Sequence, residues 1–241
     1  MTTTIGHHAE QAMPDRATPR PAPRRRSTRL WPLFGVAGGV TALAATLVDT
    51  RLDPSGIGSL VLLEGDGLDL VDHRLFLLLS VVSVGCLLVA STGWKRWADQ
   101  RAGDSLAART IPTALATTAA GNLLAASLAA SALHGHGTVD AGSSVTDGSG
   151  SARLLNLALV PGWWATVVAA LCLATLAVDR ERLVPRWMAV VSLASVVPPV
   201  LLVGFGRGAG LPALTMPIWL IVISVGMVRS GVANRRPTLV R

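Results

Sequence analysis

The sequence predicts an all-α polytopic membrane protein, a bundle of six transmembrane helices. Three observations carry that prediction. Six apolar stretches contain no charged residue, each is long enough to cross a bilayer, and the arginines between them alternate from loop to loop. The stretches are Trp31–Val48, Leu75–Trp94, Ile111–Leu133, Leu154–Val178, Trp187–Phe205 and Leu211–Val228, each 18 to 25 residues long. At about 1.5 Å per residue, these lengths match the roughly 30 Å hydrocarbon core of a membrane.

Orientation follows from the basic residues. Seventeen of the 21 Lys and Arg lie in the N-terminal tail, the second and fourth loops and the C-terminal tail. The alternate loops hold only Arg51, Arg74, Arg153 and Arg207. This split places both termini in the cytoplasm and the protein in a plasma membrane. The formal net charge of +7 does not point to nucleic acid, because most basic residues adjoin span ends, where anionic lipid is the nearer partner. A single lysine among the basic residues, with abundant Ala, Gly and Val, suggests a GC-rich bacterial genome.

Residues 1–30 form a basic arm rich in Thr, Pro and Arg, too poor in apolar side chains to bury a core, and are expected to be disordered and to meet anionic lipid. The first span follows and is read as a retained helix rather than a cleaved leader, since its apolar run continues past Ala42-Leu43-Ala44 to Val48. Gly35 and Gly39, four apart, give it a close-contact face. The loop from Asp49 to Arg74 contains Ile57 and the run Leu60-Val61-Leu62-Leu63, too short to span and too apolar for water, and reads as an interfacial or re-entrant segment.

Span three carries the clearest packing signal. Ala114, Thr118, Asn122, Ala126 and Ala130 form one small-residue stripe, and Thr117, Gly121, Ala125 and Ala129 form another beside it. Small residues four apart let helices approach in lipid, so this helix is expected at the centre of the bundle. Asn122, near mid-membrane, needs a partner on a neighbouring helix and is read as a structural clamp, with a contact to a ligand in a cavity as the alternative. The loop from His134 to Arg153 is rich in Gly, Ser and Thr and reads as flexible. The transmembrane domain ends at residue 229, and residues 230–241 are a cytoplasmic tail.

The last three spans share a proline level. Pro161, Pro198 and Pro217 lie six or seven residues from the outer ends of their spans, roughly 10 Å deep. Each removes a backbone donor and frees a carbonyl, and Pro199 adds to the effect. Trp163, Trp164 and Trp219 lie close beneath. Broken helices with aromatics would line an outward-facing cavity, whereas kinks that merely shape packing would not.

Chemistry is mostly excluded. The spans contain no carboxylate and no histidine, so paired aspartates, a His-Glu-x-x-His run and coupled ion transport through a membrane acid all lack their residues. Cys86 and Cys172 differ in depth by roughly 10 Å and are expected to be free, buried and inert. His73, His134 and His136 all fall near the outer surface, and a His-x-His pair with a third imidazole is a weak candidate for a metal or haem site. No cofactor is expected otherwise.

The run Leu176-Ala177-Val178-Asp179-Arg180-Glu181-Arg182-Leu183-Val184-Pro185-Arg186-Trp187, with Pro217-Ile218-Trp219-Leu220 and a basic exit at Arg229, resembles uncharacterised six-span bacterial integral membrane proteins. The resemblance covers the last third of the chain and implies a membrane bundle without implying an activity. The sequence thus favours a non-enzymatic membrane component that binds a partner protein or lipid. A small-molecule binder or permease with a cavity between the last three helices, and a metal or haem site at the outer surface, stay open.

Overall fold

A computed structural model of the chain describes residues 30–49, 70–102, 105–136, 148–179, 183–205 and 210–231. Within them the chain is all-helical, in the order α1 (Trp31–Asp49), α2 (Leu70–Arg101), α3 (Leu106–His136), α4 (Gly148–Val178), α5 (Arg186–Gly204) and α6 (Pro212–Arg229), with no strand. Four of these, α1, α2, α5 and α6, are long and apolar enough to cross a membrane. In α4, whose side chains are described from Gly162 onward, Gly162–Val178 form a further apolar run. The basic arm, the apolar segment around Leu60 and most of the C-terminal tail lie outside the described residues.

Helix ends outrun the apolar stretches. The second helix starts at Leu70, takes in Asp72 and Arg74, and runs on through Lys95 and Arg96 to Arg101. The fourth starts at Gly148, inside the segment expected to be a flexible loop, and the third reaches His136. Hydropathy marks where lipid would end, whereas a helix continues as long as its backbone bonds do. Local chemistry sets the ends. The Ser105 hydroxyl accepts the Ala108 N–H at 3.4 Å and caps α3. Pro185 precedes α5, and Pro212 occupies the first turn of α6, where its missing donor costs nothing. Gly231, at φ 64°, stops α6 in the left-handed conformation that suits glycine.

The helices close into a ring, α1–α2–α3–α4–α6 and back to α1, with α5 packed outside against α4 and α6. The central position expected for α3 is therefore corrected. Among the described residues α3 packs only on α2 and α4, while α4 and α6 each have three neighbours. A small-residue stripe shows which face approaches closely, not how many helices approach it.

The polarity of the bundle is inverted relative to a water-soluble one. Leu78, Val81, Leu123, Val190 and Leu201 are exposed, while Ser83, Thr118, Thr166 and Ser192 are completely buried. Outward hydroxyls bond within their own helix: Thr92 donates to the Val89 carbonyl at 2.8 Å, Thr117 to Thr113 at 3.0 Å and Ser127 to Leu123 at 2.8 Å. Among the described residues, the sides of the bundle thus offer few free polar groups.

Candidate functional site

The tightest seam joins α3 and α4. A side chain at Gly162 would place its first carbon 3.2 Å from the Gly121 Cα, so the two backbones touch through glycines. Here the Thr118 hydroxyl lies 3.0 Å from the Ala114 carbonyl of its own helix and 2.9 Å from the Gly162 carbonyl across the seam. Its single proton is engaged by these carbonyls, so Thr166, whose hydroxyl is 2.7 Å away, donates to it. Of the expected stripes, Ala114, Thr118, Asn122 and Ala126 are buried, whereas Thr117 is exposed.

Asn122 is only 4% exposed, and its Oδ1 has no hydrogen-bond partner. The interhelix clamp expected of it belongs instead to Thr118, one turn earlier, whose short side chain reaches the facing backbone that glycine brings near.

Helix α1 is held on both sides by the same device. A first side-chain carbon at Gly39 would fall 2.7 Å from both the Pro217 carbonyl oxygen and Ile221 Cγ1 of α6, and one at Gly35 would collide with Ser224. The contact face expected at Gly35 and Gly39 thus meets α6. On its other side Gly38 meets Cys86, and its carbonyl accepts the Ser83 hydroxyl of α2 at 3.1 Å. A further cross-helix bond, Ser91 to the Pro112 carbonyl at 2.7 Å, ties α2 to α3.

The proline level does not contain broken helices. Backbone helix runs through Pro161, through Pro198 and Pro199, and through Pro217 without interruption. Pro198 is exposed and Pro199 and Pro217 are buried, so the prolines do not share one face; the side chain of Pro161 lies outside the described residues. Trp163 and Trp219 are buried in the continuous hydrophobic core, with Trp164 packed half-buried against it. The Trp219 Nε1–H donates to Ser192 Oγ at 2.9 Å, tying α6 to α5. Trp163 and Trp219 are thus packed into the core at this level.

At the opposite, arginine-rich end a second set of tryptophans gathers that the sequence reading did not single out. Trp31 of α1 meets Trp94 edge to face at 5.4 Å, Trp94 meets Trp97 at 5.3 Å, and the Arg101 guanidinium lies 5.8 Å from the Trp97 ring. Trp94-x-x-Trp97-x-x-x-Arg101 was the available signal, since residues three and four apart share a helix face. Gly93 makes room for the Trp31 indole.

On the same end, an open apolar groove of about 600 Å³ runs along α6. Ile221, Val222 and Val225 form its floor, the Trp187 indole of α5 closes one side, and Arg229 and Ser230 stand at its end. Trp187 lies on Gly226, where any side chain would collide with its ring. Nothing in the composition of α5 or α6 alone signals this groove, because it depends on one indole propping two helices apart.

The candidate metal residues are placed less fully. His134 and His136 sit on the last turn of α3 rather than in a loop, and His73 on the first turn of α2, with the side chains of all three outside the described residues. Among the described residues, no three His, Cys, Asp or Glu side chains gather as a metal site would require. Cys86 and Cys172 are free thiols, half-buried rather than fully buried. No protein-family model matches the chain, and no curated protein or solved structure matches it either.

Proposed function

We propose that the chain is a six-span integral protein of a bacterial plasma membrane, with both termini in the cytoplasm, and that it is a non-enzymatic membrane component binding lipid or a partner protein. The inverted polarity carries this reading. Leucines and valines stand exposed on the helices while serines, threonines and Asn122 turn inward. A water-soluble monomer rarely exposes apolar area on that scale, and lipid makes the arrangement favourable. The seventeen-to-four split of basic residues supports the orientation. The interior supports the lack of chemistry. It is built from hydroxyl-to-carbonyl bonds and glycine contacts, and among its buried polar side chains Ser83, Ser91 and Thr118 bond across helices.

Topology is testable in intact cells. With Cys86 and Cys172 replaced by alanine, single cysteines at Ser59 and Ser143 should react with a membrane-impermeant maleimide from outside, and one at Ser105 should react only after lysis. Labelling of position 105 from outside would remove the six-span arrangement with cytoplasmic termini.

A further inference from the structure

We propose that the groove along α6 binds an anionic glycerophospholipid, with an acyl chain on Ile221, Val222 and Val225 and the phosphate at Arg229. This rests on the membrane reading above and adds a defined headgroup site to it. The groove's volume of about 600 Å³ lies within the roughly 300–1,000 Å³ range of small-molecule pockets. Its walls are almost wholly apolar, which suits a hydrocarbon chain and no polar metabolite.

The polar end selects the headgroup. Arg229 is exposed and makes no ion pair among the described residues, whereas the Ser230 Oγ is shielded from solvent. The guanidinium offers the donors, and no carboxylate is among the described residues that line the groove. A phosphate oxygen accepts from the guanidinium in a charge-assisted bond, which favours Arg.

Charge also argues against the other candidate occupants. The chain's own residues 232–241 contain Arg235, Arg236 and Arg241 and no acid, and a second copy side by side in the same orientation brings its own arginine-rich end to the same place. Each would set like charges against Arg229. An anionic lipid at the arginine-rich end is the occupant of opposite sign, seated where its phosphate would meet the membrane surface.

The test uses the full chain reconstituted in phosphatidylcholine nanodiscs. Acyl-brominated phosphatidylglycerol or acyl-brominated phosphatidylcholine is titrated in, and quenching of Trp187 is read as the difference between the unmodified chain and Trp187→Phe. Quenching should favour the brominated phosphatidylglycerol about five-fold, the ratio expected from one arginine near an anionic lipid. Arg229→Gln should bring the preference to about one-fold, and Arg229→Lys should retain much of it. Raising salt to about 1 M should collapse the preference of the unmodified chain, a readout that needs no variant to fold.

Equal quenching by the two lipids, a preference that survives both Arg229→Gln and high salt, or no quenching of Trp187 by either lipid would overturn the proposal. The last of these is the result expected if the C-terminal residues or a second copy fill the groove. Failure of the chain to enter nanodiscs at all would instead overturn the membrane reading, and appears separately as loss of protein from the disc fraction.

Discussion

The α3–α4 and α5–α6 seams use glycine in opposite ways. At the first, Gly162 faces Gly121, the backbones meet, and the hydroxyls of Thr118 and Thr166 bond across the contact. At the second, Gly226 faces the largest side chain in the sequence, Trp187, so the space that glycine opens is taken by an indole and the helices stand apart. The two seams correspondingly differ in extent, α3–α4 being the most extensive in the bundle and α5–α6 the least. A small residue on one helix therefore does not ensure a tight seam. What faces it decides between backbone contact and a groove.

The sharpest way to break this comparison is to fill each glycine. Gly162→Leu drives a branched side chain into a backbone with nowhere to move and should cost about 3 kcal/mol, read as thermal stability in detergent. Gly226→Leu displaces an indole that is already 42% exposed and free to swing outward, and should cost about 1 kcal/mol. Equal losses at the two positions would mean that the seams do not differ in the way described.

A smaller effect is expected from the hydroxyls. In a double-mutant cycle, Thr118→Val and Thr166→Val should couple by about 0.6 to 1.7 kcal/mol, between the mean and the maximum measured for interhelical hydrogen bonds in a membrane protein. A coupling near zero would leave the glycine contact as the whole of the α3–α4 seam. The bond between Trp219 and Ser192 is the counterpart at α5–α6. Ser192→Ala leaves a buried indole N–H without an acceptor and should cost about 1 kcal/mol, because the surrounding packing is otherwise unchanged. A loss much larger than that of either threonine would show that the looser seam depends on this one bond.

Much of the architecture was legible in the sequence, for a physical reason. Transfer of charge into hydrocarbon is costly, so uninterrupted apolar stretches stand out, and each of the six coincides with the body of a helix. The small residues of α3 were legible too, since Ala114, Thr118 and Ala126 are spaced for one buried face. What could not be read was which residue faces which. Asn122 drew notice as the most polar side chain, yet the clamp formed at Thr118 because Gly162 brings the α4 backbone near that position. The proline level suggested broken helices, but a helix can pass proline intact when neighbouring groups accommodate the freed carbonyls. Trp187 and Gly226 are 39 residues apart in the chain, and no local pattern links them.

The double engagement of the Thr118 hydroxyl bears on how such a protein is built. It sits 3.0 Å from the Ala114 carbonyl within α3 and 2.9 Å from Gly162 on α4. Before α4 arrives, the proton already has an acceptor one turn back, so on the membrane reading proposed above the helix would enter a bilayer alone without carrying an unsolvated donor. When α4 docks, the same proton gains a second acceptor and no bond has to be broken first. On that reading, insertion and assembly would be separable steps for this segment of the chain. The residue that holds the finished seam would add little to the barrier for putting its helix into a membrane.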